Sequence, residues 1–158
     1  MPIAAADNPA SLVPKDPATG RYKYQGVVTV DGVPSDELYR RAKAWVAAAY
    51  ESSTDVIKLD DQPGGQLIAR GSFTVPFFLG FAWVKHTWTI EIKDGRYRYT
   101  LTDYLFDTGS WSAPLEEDKS FIGTRKSIFT RVRDNSEGMI VGLKEAMLKP
   151  SPSMSSDW

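Results

Sequence analysis

The chain has no cysteine among its 158 residues, which excludes disulfides, thiolate nucleophiles and cysteine-ligated zinc or iron–sulfur clusters. It has no marked excess of either charge. The formal net charge is −1, so nothing global draws the protein to phosphate backbones or anionic lipid. Long apolar runs are missing as well: the longest, Phe73–Val84, falls short of the roughly 20 residues a membrane helix needs, and Pro76 and Gly80 interrupt it. The opening residues, Met1 to Pro9, lack the basic and apolar regions of a signal peptide. There is no Gly-x-Ser-x-Gly, and Gly64-Gly65 leads into a strand where a phosphate loop leads into a helix. What the chain does have is 42% hydrophobic and 12% aromatic residues, enough for a proper core in one domain.

The clearest pattern is Trp88–Leu105, two alternating segments joined by Asp94-Gly95, a dipeptide suited to a type I′ turn with positive φ at both residues. With those two as the loop, Ile92, Ile90 and Trp88 face Tyr97, Tyr99 and Leu101 on one side. Glu91, Thr89 and Thr87 face Arg98, Thr100 and Thr102 on the other. Such alternation marks an antiparallel sheet covered on one face and wet on the other.

Around that hairpin the chain reads in order. Residues 1–20, with Pro2, Pro9, Pro14 and Pro17, read as an extended arm. Tyr22–Asp31 alternates as a strand. Ser35 is the expected N-cap of a helix running to about Ser52, with Asp36 and Glu37 at its positive end. Its apolar stripe is Leu38, Ala42, Trp45, Val46, Ala49 and Tyr50. On the other face Asp36–Arg40 and Glu37–Arg41 form surface ion pairs. Asp55–Asp60 and Gln66–Val75 are strands. Ser120–Val132 reads as a covering segment or an edge strand, and Ser136–Lys149 as a second helix with Met139, Ile140, Leu143 and Met147 inward. Residues 21–149 thus form a single α+β domain, with 150–158 a flexible tail.

The order β-α-β-β-β-β-α carries a resemblance, most specifically in Gly32-Val33-Pro34-Ser35-Asp36-Glu37-Leu38-Tyr39-Arg40-Arg41-Ala42-Lys43-Ala44-Trp45. Asp55-Val56-Ile57, Gly65-Gln66-Leu67-Ile68-Ala69-Arg70-Gly71 and Asp94-Gly95-Arg96-Tyr97-Arg98-Tyr99 add to it. Over Leu12–Lys149 the sequence resembles a bacterial domain of unknown function with a TATA-binding-protein-like (TBP-like) fold. The resemblance implies a curved antiparallel sheet with two helices packed on one face. Members of that family are exported, which implies a periplasmic or cell-envelope location, with cytoplasmic as the alternative. No catalytic residues come with the family.

Candidate sites are few. The single histidine, His86, faces Asp103 if the hairpin register continues, a pairing that could serve a general base or a metal ligand. Without a third partner it reads as a hydrogen-bonded pair at the rim of the core. The acidic pairs at Asp60-Asp61 and Glu116-Glu117-Asp118 lack calcium-loop spacing and read as hydrated turns. The wet face collects Lys23, Lys58, Arg70, Lys85, Lys93, Arg96 and Arg98 against Asp60 and Glu91, a basic excess that phosphates could use. Solvated strands carry such residues for solubility as well.

Extending the register further pairs Lys85 with Tyr104 and Trp83 with Phe106 on that same face, where Phe77, Leu79 and Phe81 would join them as an aromatic patch. Cover by Ser120–Val132 is the competing account. The expected ligand- or partner-binding residues are therefore Trp83, Tyr104, Phe106, Phe81, Arg70, Lys85, Arg96 and Arg98. The expected role is a non-catalytic binding module for a small apolar or anionic ligand or a protein partner, a homodimer included. No cofactor, metal or membrane span is expected, and the overall charge argues against nucleic acid. A nucleic-acid-binding domain is the alternative reading, and a small hydrolase the third.

Overall fold

A computed structural model describes residues 12–50, 56–117 and 125–151. The elements run β1 (Tyr24–Thr29), α1 (Ser35–Ala49), β2 (Ile57–Asp61), β3 (Gln66–Phe77), β4 (Gly80–Lys93), β5 (Arg96–Asp107), β6 (Ser112–Pro114) and α2 (Arg125–Leu148). One six-stranded sheet has the order β1-β5-β4-β3-β2, with β6 added beside β5. The α+β class and the expected order hold, with β6 as the one extra strand among the described residues. Residues 1–11 of the expected arm, residues 51–55, residues 118–124 with the start of the expected covering segment, and the tail from 152 lie outside the described residues.

Contacts divide the chain into two compact units. One gathers Gly71–Thr87 and Leu101–Gly138 with the chain up to Tyr24; the other gathers Gln25–Arg70, Trp88–Thr100 and the chain from Met139 onward.

In the second unit the hairpin alternation is as expected. Trp88, Ile90, Ile92, Tyr97, Tyr99 and Leu38, Ala42 and Val46 of α1 are buried together with Ile140, Leu143 and Met147 of α2. Trp45 meets Trp88 edge to face at 5.1 Å, and Gly142 of α2 brings its backbone so close that an added Cβ would stand 3.3 Å from the Trp45 indole nitrogen. Both helices therefore lie on the Trp88 side of the sheet within this unit. Ala49, read as part of the stripe, is exposed, and α1 stops there. The expected surface pair Glu37–Arg41 is a structural tie instead. Arg41 is buried, binds Glu37 at 2.7 Å and donates to the Met147 carbonyl at 2.7 Å. Ser151 donates its backbone N–H and its hydroxyl to the same carboxylate. Those hydrogen bonds, with the Ser151 amide first and Arg41 next, hold the Glu37 carboxyl down at about 2.

The turn itself differs from expectation. Gly95 has φ 74, but the only described non-glycine residues at positive φ are Phe78 and Asp103, so Asp94–Gly95 is not a type I′ turn. The reason is a second task for Asp94. Its carboxylate accepts the Ser35 N–H at 2.7 Å, while Gly95 donates to the Val33 carbonyl and accepts from the Val30 N–H. Helix α1 is thus capped from a distant turn. Ser35, the expected cap, is the first helical residue, and Pro34 before it makes no side-chain cap. Asp94→Ala should therefore cost about 1 kcal/mol, a melting decrease of a few degrees, whereas Ser35→Ala should change stability by less than about 0.5 kcal/mol. Thermal melting of the two variants checks this, and the reverse ranking would refute the distant cap.

In the first unit, of the two readings of Ser120–Val132, a covering segment or an edge strand, the described part is not a strand: helix α2 begins at Arg125, and its Ile128, Phe129 and Val132 are fully buried. Phe129 packs edge to face on Tyr22 at 5.2 Å. Ser136 hid the continuity of this helix. It occupies an inward position where an apolar residue would be expected, and it is satisfied there by the Tyr104 hydroxyl at 2.7 Å.

Candidate binding surface on the exposed sheet face

Asp103 decides where the expected patch goes. Its φ is 57, a left-handed conformation that interrupts the alternation of β5. Buried positions run Tyr97, Tyr99, Leu101 before it and Tyr104, Phe106 after it. Two of the expected binding residues, Tyr104 and Phe106, are therefore not on the wet face. Tyr104 holds Ser136, and Phe106 packs edge to face against Phe77 at 5.1 Å. Trp83 and Phe81 do stay exposed, in mutual edge-to-face contact at 5.3 Å.

The same residue removes the expected histidine pair. Asp103 binds Arg21 at 2.8 Å, while His86 is fully buried, stacked on Phe73 at 5.3 Å, with Nδ1 3.3 Å from the Val84 carbonyl. Its surroundings are those of a core side chain.

Ion pairing thins the basic stripe. Lys23 pairs with Asp16 at 3.1 Å and Lys85 with Asp107 at 2.9 Å. The Gly109 amide, and after it Lys85, hold the Asp107 carboxyl below its ordinary value. Arg98 grips Glu91 through two nitrogens, at 3.1 and 2.6 Å. Asp60, expected on the wet face, turns the other way: the register of β2 slips between Ile57 and Leu59. Asp60 accepts from Tyr39 and Lys43 of α1, and Lys43 above all keeps its carboxyl ionised. Arg70, Lys93 and Arg96 are exposed, with no ion pair among the described residues.

Within the second unit a basin of about 420 Å³ is lined by Val27, Gln66, Glu91, Lys93, Arg96 and Arg98, with the Gly64-Gly65 turn at its border. Val27 is 64% exposed. Ile92 and Tyr97 also border it, although both residues are buried in the core. Of the expected residues only Arg96 and Arg98 are brought together here. Lys93, read on the wet face as part of the basic stripe, joins them from the same hairpin, and Val27, Gln66 and the glycine turn are added by the pairing of β1, β5, β4 and β3. Among the described residues no group of three or more acidic or histidine side chains is placed to hold a metal, and no helix is long and apolar enough to cross a membrane.

Residues 24–106 match the model of a family described as a domain of unknown function (DUF4468) with TBP-like fold. The chain belongs to this family. Two solved structures agree with the DUF4468 fold. A TBP-like protein from Parabacteroides distasonis superposes with a TM-score of 0.75 at 13% identity, covering 88% of this chain and 99% of its own. A DUF4468 family protein from Bacteroides ovatus does so with a TM-score of 0.68 at 16% identity, covering 90% and 94%. At such identities the likeness speaks for the fold alone. No curated protein matches this DUF4468 chain.

Proposed function

We propose that this DUF4468 domain is a binding module of the bacterial cell envelope and that it takes an anionic ligand in the basin on the exposed sheet face. One observation supports it most. Lys93, Arg96 and Arg98 converge on a concavity of about 420 Å³ against the single acid Glu91, which Arg98 already neutralises. That leaves Lys93 and Arg96 as the positive charges to meet a ligand, with Val27 offering apolar contact. A carboxylate or phosphate group fits this pairing of a point-charge donor with a planar one. Nucleic acid is the weaker reading, because among the described residues Lys23, Lys85 and Arg98 of the basic set spend their charge on neighbouring acids.

Isothermal titration with citrate and with inorganic pyrophosphate tests the reading. Binding should weaken about tenfold in Arg96→Ala, the loss of one charge-assisted contact worth roughly 1.5 kcal/mol. Lys93→Glu with Arg96→Glu should abolish it. Unchanged affinity in the doubly reversed variant refutes the basin. Binding to a DNA duplex that falls steeply with salt would favour nucleic acid instead.

A further inference from the structure

The turn between β3 and β4, in the first unit, carries an exposed apolar tip that the basin reading does not use. Phe78 is 82% exposed and Leu79 107%, followed by Phe81 at 57% and Trp83 at 37%. No charged residue occurs from Gly71 to Val84. Phe78 holds φ 52, an uncommon conformation for an aromatic residue. The tip has a firm base. Phe77 packs on Phe78 at 4.4 Å, on the buried Phe106 at 5.1 Å and near Trp111 at 6.4 Å, so Phe78 is joined to the core through Phe77. Trp111, 41% exposed, lies beside Phe106 at 5.6 Å.

We propose that this hairpin tip inserts into the interfacial region of a lipid bilayer, with Phe78 and Leu79 in the acyl boundary and Trp83 and Trp111 at headgroup level. Three features select lipid as the occupant. The surface projects at a turn, with Leu79 fully exposed and Phe78 nearly so, so a fluid apolar phase fits it where a protein partner would need a matching pocket. Its residues are graded, with Phe and Leu at the extremity and tryptophan set back, the order of an interfacial anchor. A second copy covers it poorly: Phe78, Leu79, Phe81, Trp83 and Trp111 together expose on the order of 600 Å², and two projecting tips would share only part of that, below the roughly 800 Å² per partner of a stable interface. The basin, lined by Lys93 and Arg96, is the wrong chemistry to receive such a tip from another molecule. Lys85 is already paired with Asp107, so insertion rests on apolar contact and needs no anionic headgroup.

The test is co-sedimentation of the full chain with phosphatidylcholine vesicles, with and without phosphatidylglycerol. Both compositions should bind the protein, with little effect of salt. Phe78→Ser with Leu79→Ser should lower the partition coefficient roughly tenfold or more while leaving the melting temperature unchanged, since both side chains are exposed. Acyl-brominated phosphatidylcholine should quench tryptophan emission, and Trp83→Phe should remove part of that quenching. Arg96→Glu should leave vesicle binding intact, which separates this site from the basin. Absence of sedimentation, full binding by the double serine variant, or binding confined to anionic vesicles and lost in high salt overturns the proposal. So does a concentration-dependent dimer that the serine pair abolishes, which would give the tip to a second copy.

Discussion

Trp88→Ala should remove about 4 kcal/mol of stability, lowering the melting temperature by roughly 8–16 °C and leaving a domain of ordinary stability close to its unfolding threshold. The indole is fully buried. It meets Trp45 at 5.1 Å and Tyr99 at 6.4 Å, so truncation empties the space on which α1 lies and strips both rings of their partner. Its N–H also donates to the Tyr50 hydroxyl at 3.0 Å, and that hydroxyl donates in turn to the Met139 sulfur at 3.5 Å. Burial pushes the Tyr50 hydroxyl up to about 12, so it remains a neutral donor and acceptor throughout the accessible pH range. Trp88→Phe separates the two contributions. It keeps most of the ring and loses the N–H, so it should cost about half as much. Urea unfolding of the two variants measures both, and a loss below about 1 kcal/mol for the alanine variant would mean that the helix collapses onto the sheet to close the cavity.

Trp88 was legible because the pattern around it is local. Alternation across Trp88–Leu101 places every inward residue of the central hairpin correctly, and threefold and fourfold spacing does the same for Leu38, Ala42 and Val46. Legibility ended at single residues that break period. Asp103 at φ 57 shifts the parity of β5 by one and moves Tyr104 and Phe106 from the supposed patch into the core. Nothing in its identity announces this, since aspartate tolerates both conformations. Ser136 interrupts the apolar stripe of α2 in the same way, and the slip beside Leu59 turns Asp60 towards α1.

The site was half legible for a related reason. Arg96 and Arg98 follow directly from the hairpin, whereas Val27 and Gln66 reach the basin only through the strand order β1-β5-β4-β3. Non-sequential neighbours leave no periodic trace. Asp94 shows the same limit from the other side: the dipeptide Asp-Gly correctly locates the turn, but the helix it caps lies 59 residues away in sequence, and satisfying the Ser35 amide sets the backbone of the turn.

The glycine turn bordering the basin should be nearly as sensitive as Trp88, and a second glycine provides the control. Gly65 has φ 68 and Gly32 has φ 79, so alanine at either position adopts a left-handed backbone costing roughly 1–2 kcal/mol. Around Gly32 an added Cβ meets nothing within 4 Å, whereas at Gly65 it would overlap the carbonyl oxygen of Ile92. That oxygen cannot withdraw freely, because the Ile92 N–H donates to the Gly65 carbonyl at 2.7 Å and holds the two backbones together. Relief requires breaking this bond or displacing the end of β4, so Gly65→Ala should cost about 3–4 kcal/mol against roughly 1 kcal/mol for Gly32→Ala. Lys93 follows Ile92 directly, so displacement there also moves a basin charge, and any anion affinity should fall in the Gly65 variant while Gly32→Ala retains it. Urea unfolding of the pair, with citrate titration of each, reads both effects. Equal stabilities would show that the close approach of Gly65 to Ile92 relaxes at no cost.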